Sequence, residues 1–401
     1  MKIDKSSNFI LLWILAYMTA LAPLATDMYL PSMGAVQESF QTTSANTQLS
    51  ITVFFVAFAF GQLLYGPISD ALGRRKPLVV GIIIYTLTSF ACAAADSISL
   101  FVCLRFLQAL GGCAGVVIAR AIINDKFDIK QGASAMAVMM MVGSLAPMLA
   151  PSVGSLIAKY APWQVIFVLL GVFGLMLLAL MLWGLQETVP PGKQTALNLP
   201  SVFRNYAAIV QDRCFMMLVL TFSLPLSALF AYITTASFVF QDHFHLSAQG
   251  FGILFGVNAL GSTTFSMVNA KIVRSVSPYT ILQYAFWAML LFVAAMMVIS
   301  LFDAGFWWFE GALFLTMGMI GFIAPNAALL AMDRFRQNSG AASAVLGMTQ
   351  FAIAGMVSFL AGVLHANTPG RLSVMMALCV LAGALVYRLL HRDLAGTAPR
   401  P

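Results

Sequence analysis

Two ionisable side chains stand inside long apolar runs of this chain, where a charge is costly. Asp27 falls in Ala25-Thr26-Asp27-Met28-Tyr29-Leu30-Pro31, toward the far end of the first run, and Arg105 falls in Leu104-Arg105-Phe106-Leu107-Gln108 within a later one. A carboxylate in a medium of low dielectric constant can bind a proton and release it as its hydration changes. A guanidinium there is tenable only if it is paired or lines a wet cavity, so Arg105, with Gln108 three residues on, is read as a functional charge tuning Asp27. Trp13, Tyr17, Ala20 and Leu24 precede Asp27 on one helical face and read as a wall of an aromatic cavity with polar tips; the rival reading puts Asp27 in an outer loop at the interface. Tyr232, Asn258, Asn326 and Gln350 are further cavity candidates on polarity alone, with helix-to-helix hydrogen bonding an equal alternative. Arg120 either snorkels to the interface or acts within the span. Glu310, near the edge of its span, is open to an interfacial placement, which leaves Asp27 as the only acid well inside a predicted span. His243 and His245 are expected to be solvated in an outer loop. Neither a metal-ligand cluster nor a nucleophile with a base is evident, so an enzyme is not expected and no cofactor is implied.

The elements that must position these groups are apolar helices. Of the 401 residues, 61% are hydrophobic and 9% charged, far from the quarter or so that soluble domains carry. The mean hydropathy is +0.91. Runs this long and continuous fit membrane-spanning helices rather than the short alternating strands of a barrel. Predicted spans are 8–29, 46–66, 78–96, 99–123, 133–158, 163–184, 213–240, 248–270, 279–301, 305–330, 339–364 and 371–390. With a cytoplasmic N-terminus, 17 of the 21 basic residues fall on the inside, against Lys159 and Arg371 outside and Arg105 and Arg120 within a span. One missed helix would invert every later loop, so this asymmetry supports an even count with both termini inside. The basic residues are scattered between spans, which suits topology rather than nucleic acid. Lys2 and Lys5 precede an apolar run too long for a signal-peptide core, so an uncleaved first span is expected. Cys92, Cys103, Cys113 and Cys379 read as small core residues and Cys214 as a span-edge residue, with no disulfide implied.

Residues 185–212, with Pro190, Pro191, Gly192, Lys193 and Pro200 and an amphipathic run from Val202 to Val210, divide the spans six and six. The expected organisation is a six-helix bundle over 1–184, a cytoplasmic linker over 185–212 and a second bundle over 213–401. Within the fifth span, Gly143, Pro147, Pro151, Gly154 and Ala158 recur at helical spacing, a face that lets another backbone approach closely; a generic packing seam is the plainer reading. Between the second and third spans, Gly66-Pro-Ile-Ser-Asp70-Ala-Leu-Gly73-Arg74-Arg75-Lys76 is read as a short loop in which Asp70 faces Arg74 or a helix N-terminus.

That loop resembles the signature of the major facilitator superfamily, in which Gly66, Asp70, Gly73, Arg74 and Arg75 would form a cytoplasmic latch. The fifth-span face, Gly143, Pro147, Pro151 and Gly154, is similar to the antiporter motif of the superfamily's drug/proton exporters, although Ala150 and Ser155 stand where glycine is common. Arg105 and Gln108 resemble the fourth-span motif associated with proton transfer, with Ala109 at a position often glycine. The Asp27-Met28-Tyr29-Leu30-Pro31 run, Trp163-Gln-Val-Ile-Phe167, Glu187-Thr188, Ala324-Pro-Asn-Ala327 and Gly340-Ala-Ala-Ser343 extend the resemblance to the Bcr/CflA-type branch, linked to bicyclomycin and chloramphenicol resistance. Asn124, before Asp125, departs from the arginine that relatives often carry.

The resemblance implies an all-α membrane protein of twelve transmembrane helices in two six-helix bundles. It implies a proton-coupled drug/proton antiporter, exporting small molecules across the bacterial inner membrane by alternating access. The alternative is a dedicated exporter of one endogenous metabolite, such as a nucleoside or siderophore, on the same fold; a proton-symporting importer is disfavoured by the fifth-span motif. The expected partners are the lipid bilayer, a small-molecule substrate and protons, with no nucleic acid and the chain acting as a monomer.

Overall fold

Peptide groups of an apolar stretch in lipid must be satisfied within the stretch, and no strand occurs among the described residues. The computed structural model describes residues 5–127, 129–189, 198–335 and 338–397. Pro190, Pro191, Gly192 and Lys193 of the expected linker lie outside them, as do Lys2, Arg336 and Arg400. The helices are α1 (Lys5–Asp27), α2 (Met33–Ser39), α3 (Ser44–Leu72), α4 (Arg75–Ala93), α5 (Ile98–Lys126), α6 (Ile129–Tyr160), α7 (Gln164–Gly184), α8 (Leu199–Gln211), α9 (Arg213–Ser237), α10 (Ala248–Ile272), α11 (Pro278–Leu301), α12 (Phe306–Arg334), α13 (Ser339–Val363) and α14 (Pro369–Thr397). A 3-10 turn (Leu30–Ser32) joins α1 to α2, and a π-helical turn (Phe238–His243) continues α9. Among the described residues twelve helical spans are long and apolar enough to cross a membrane, so the chain is a multi-pass membrane protein.

Several sequence boundaries are corrected. The second span does not stop at Gly66; α3 runs through Pro67 to Leu72, so only Gly73 and Arg74 separate it from α4. α2 was not expected, because its seven residues carry no apolar run of their own. Cys103 is exposed rather than buried with Cys92, Cys113 and Cys379, and all five thiols are free. A thiol is apolar enough to face lipid, as are the outward Leu291 and Trp307. Helix starts follow ordinary capping: Thr43, Ser97 and Asp212 each accept a backbone N–H three residues on, from Asn46, Leu100 and Phe215.

By contacts the chain forms two compact units, Met1–Val202 with Ser247–Gly256, and Phe203–Leu246 with Val257–Pro401. In the first, α5 packs against α3 and α4, α4 against α7, and α1 against α6. Glycine sets the α4–α5 approach: a Cβ on Gly111 would lie 2.5 Å from the Gly81 carbonyl oxygen and 2.6 Å from the Tyr85 nitrogen, both backbone atoms. In the second unit, α9 packs against α12, α13 and α14, and α11 against α12 and α14. Gly321 does there what Gly111 does in the first, lying against the backbone of Ser262 and Ser266 in α10.

Because backbone cannot step aside, Gly111→Ala is expected to lower the thermal midpoint of the purified chain, at a cost of about 1–3 kcal/mol. Gly34→Ala, where no atom lies within 4 Å of the added carbon, is expected to leave the midpoint unchanged or raised. Thermal unfolding of the two variants in detergent, followed by size-exclusion chromatography, compares them directly.

Candidate functional site

Asp27 is the last residue of α1, and only 3% of its surface is exposed. Pro23, four residues earlier, breaks the helical hydrogen-bond ladder, and the Thr26 hydroxyl lies within reach of the Ala22 and Pro23 carbonyls as well as of Asp27 Oδ1, at 2.9 Å. Beyond Asp27 the chain turns through Met28, Tyr29 and Leu30, all buried, and the Tyr29 hydroxyl bonds to Ser50 Oγ at 3.2 Å. Among the described residues this carboxyl has one hydroxyl donor and no cation, an incompletely answered polar group.

Arg105, on α5, is entirely buried. Its Nη1 donates to the Ala25 carbonyl at 3.0 Å and to Gln108 Oε1 at 2.6 Å, while Nε and Nη2 meet no acceptor. Three rings surround the guanidinium: its carbon lies 4.6 Å from the centroid of Phe54, 5.3 Å from Tyr29 and 5.6 Å from Phe167. Ring faces attract a desolvated cation by up to about 2 kcal/mol each, and here they stand in for a carboxylate. Gln108 passes the contact on, donating to Ser89 Oγ at 2.8 Å, and Ser89 donates to the Tyr85 carbonyl at 2.6 Å. No ion pair joins Arg105 to Asp27 among the described residues; the guanidinium grips the backbone two residues before the acid.

The expected aromatic wall is only partly enclosed. Trp13 is 60% exposed, Ala20 is buried, and the half-buried Tyr17 donates to the Phe173 carbonyl of α7 at 3.0 Å. The small-residue face of α6 does bring backbones together. Gly154 meets the Met28 carbonyl, directly after Asp27, leaving no room for a Cβ, and Gly143 lies against Thr19 of α1. Pro147 is half-buried on the same helix and Pro151 is buried. Gly252 and Gly256, in the part of α10 that belongs to the first unit, lie against the Pro151 and Met148 carbonyls, and Ser152 Oγ donates to the Gly252 carbonyl at 3.2 Å.

The turn between α3 and α4 carries a charge cluster. Gly66 is half-buried within α3 and accepts from Ser69 Oγ; Asp70 pairs with Arg74, as does Asp125, whose Oδ2 lies 2.9 Å from Arg74 Nε. Thr188 donates to the same Asp125 oxygen at 3.0 Å. Burial pulls the Arg74 guanidinium down, but hydrogen bonds and charge from Asp125 and Asp70 carry it above its ordinary value. Glu187 accepts from the backbone nitrogens of Arg74 (2.9 Å), Arg75 (3.1 Å), Thr188 (2.9 Å) and Val189 (3.1 Å), sealing the N-terminus of α4. Partial burial pushes this carboxyl up, and the four N–H donors outweigh it, holding Glu187 below the usual glutamate range. Gly73, at φ +84°, is needed because a Cβ there would collide with the Glu187 carboxylate. Arg75 Nη2 reaches the Leu182 carbonyl at 3.2 Å. Asp125 and Glu187 complete the cluster; in the sequence both stand only as parts of the resemblance, because Arg74 and Arg75, which they meet, are distant in the chain.

In the second unit, Tyr232 and Asn258 come together, with Asn258 Nδ2 donating to the Tyr232 hydroxyl at 3.2 Å. Asn326 instead bonds Asn269 Oδ1 at 2.7 Å, a helix-to-helix contact, and Gln350 is half-buried on α13. Glu310 is 6% exposed, so among the described residues Asp27 is not the only buried acid in a membrane-spanning helix.

Residues 15–359 match the family model described as Major Facilitator Superfamily. The "Uncharacterized MFS-type transporter YdgK" of Bacillus subtilis (strain 168) is 31% identical over 96% of this chain and 96% of its own length. The "Bicyclomycin resistance protein homolog" of Haemophilus influenzae is 28% identical over 96% of this chain and 97% of its own. Among solved structures, the xylose transporter XylE from E. coli matches in fold with a TM-score of 0.77 at 12% identity, covering 98% of each chain.

Glu187 has a depressed folded value, so its stabilisation is present at and above the ordinary glutamate range and is lost as pH falls through the depressed value. Glu187→Gln is therefore expected to melt below the wild-type chain at neutral pH, with the gap closing in acid. Thermal midpoints of both proteins across a pH series test this; a gap independent of pH would assign the loss to packing.

Proposed function

Because the chain belongs to the Major Facilitator Superfamily, we propose that it is a proton-coupled drug/proton antiporter that exports small molecules across the bacterial inner membrane by alternating access of its two six-helix halves. The observation that carries the reading is Asp27, a carboxyl buried at the end of a membrane-spanning helix with one hydroxyl donor and no cation. Such a group is neutral in one surrounding and charged in a wetter one, which is what a proton carrier requires. The kinship with a bicyclomycin resistance protein homolog supports a small-molecule drug as cargo.

In this reading Asp27 takes the proton and Arg105 acts as a positioning residue, fixing the α1 backbone through the Ala25 carbonyl. Proton and substrate are coupled only if they favour different occupancies or conformations, since a ligand bound equally by both states biases neither. Gly154 keeps α6 against Met28, directly after Asp27, and Gly143 keeps it against Thr19 of α1, so that a change at Asp27 is transmitted to the helix that also carries Pro147 and Pro151. Gly66, Asp70, Gly73, Arg74 and Arg75 serve as a cytoplasmic latch, extended by Asp125 and Glu187. Both termini face the cytoplasm, and the monomer is the working unit.

A cell-wide susceptibility screen of a deletion strain supplies the substrate, and inverted membrane vesicles supply the assay. Asp27→Asn is expected to lower pH-gradient-driven uptake by about 5- to 150-fold, the range of an ordinary coupling free energy, while energy-independent exchange of substrate persists. Uptake at the wild-type rate by that variant would remove Asp27 from the mechanism.

A further inference from the structure

Glu310 is a buried acid that the mechanism above does not use. It lies near the start of α12, beside the buried Phe309, and Asn258 of α10 faces it. Asn258 Nδ2 donates to the Tyr232 hydroxyl at 3.2 Å, and its amide is the one donor near the Glu310 carboxyl; among the described residues no donor lies in hydrogen-bonding geometry to Asn258 Oδ1 or to either Glu310 oxygen. The elements packed here contribute Tyr232 from α9 and Asn258 from α10; Asp242, His243 and Asp303 are exposed, and none of them bonds to Glu310. Apolar rings adjoin the cluster: Phe240 of the π-helical turn meets Tyr232 edge-on at 6.2 Å between centroids, and Phe309 at 6.3 Å.

Three buried acceptors without a donor in hydrogen-bonding geometry among the described residues are costly, and an ionised carboxylate among them more so. One proton resolves most of the deficit. On Glu310 it removes the charge and creates an O–H donor that can turn to Asn258 Oδ1, answering two groups at once. A divalent cation would ask for six or more oxygens, about twice what the cluster offers. We propose that Glu310 is a second proton-binding site of this transporter, held in the second unit as the neutral acid against Asn258 and emptied when the cluster becomes hydrated. Its place in the transport cycle rests on the proton-coupled reading above; its protonation does not.

The test is infrared difference spectroscopy of the full-length chain in liposomes, comparing acid with alkaline medium, with no substrate added. The wild-type chain is expected to show carbonyl stretches of protonated carboxyls that bleach with rising pH. Glu310→Gln is expected to lose one component, Asp27→Asn another, and the double variant both. Asn258→Ala is expected to keep the Glu310 component and move it to higher frequency, the signature of a lost hydrogen bond, and it serves if Glu310→Gln does not fold. A carboxyl region unchanged in Glu310→Gln overturns the proposal. So does a Glu310→Gln chain that loses binding of an amine-bearing substrate while every carboxyl component stays, since the cluster is then a site for the cation. Failure of wild-type vesicles to couple transport to a pH gradient would sink the antiporter reading and leave the spectroscopic result standing.

Discussion

The positive charge of Arg105, fully buried and with no carboxylate paired to it among the described residues, is the constraint around which the first unit is arranged. Four helices and a turn are drawn to it: the Ala25 carbonyl comes from α1, Tyr29 from the turn after it, Phe54 from α3, Phe167 from α7, and Gln108 from α5 itself. Ser89 ties α4 to the same network through Gln108. Removing one member of such a set leaves a charge the remainder cannot answer, which is why buried charges impose more order than their net energy suggests. The last turn of α1, and with it Asp27, is fixed as a by-product of answering Arg105.

Close packing makes this possible, because ring faces and carbonyls answer a cation only at short range. Gly111 lets α5 sit against the α4 backbone near Tyr85, and Gly154 lets α6 sit against the Met28 carbonyl. The stretch from Ala25 to Met28 is thus held from two directions, by a guanidinium on one carbonyl and by a bare glycine under another. Asp27 lies between the two grips. A polar group between two fixed backbone points reports small changes in either, which suits the proton-carrying role proposed for Asp27.

Features that repeat along the chain were legible in the sequence: twelve apolar runs, the alternation of basic loops, the spacing of Gly143, Pro147, Pro151 and Gly154. Asp27 and Arg105 were legible because a charge in an apolar run is conspicuous. Features that depend on a distant partner were not. Two of the four backbone donors around the Glu187 carboxylate come from Arg74 and Arg75, more than a hundred residues away, and nothing near Glu310 in the sequence shows that 94% of its surface is covered once its helix packs. Arg105 was found but its company was not, since Phe54 and Phe167 are unremarkable in a chain with 32 phenylalanines. The end of α3 was misplaced for a local reason: Asp70 and Pro67 read as loop residues, yet Pro67 follows a stretch already helical and Asp70 is answered one turn on by Arg74.

Three carboxylates show how one functional group acquires different chemistry. Glu187 accepts from four backbone N–H groups, two at the start of α4 and two from the residues just after itself, so its negative charge is held and it acts as a structural clasp. Asp27 has one hydroxyl, and Glu310 has none in hydrogen-bonding geometry. What separates them is the number of donors the fold aims at each, set by helix ends and glycines rather than by the acid. A donor-rich carboxylate gains nothing from a proton, whereas a donor-poor one in apolar surroundings is completed by it. The clasp at the turn between α3 and α4 and the acids within the spans are therefore opposite uses of one rule, that a buried charge must be answered by the chain or given up.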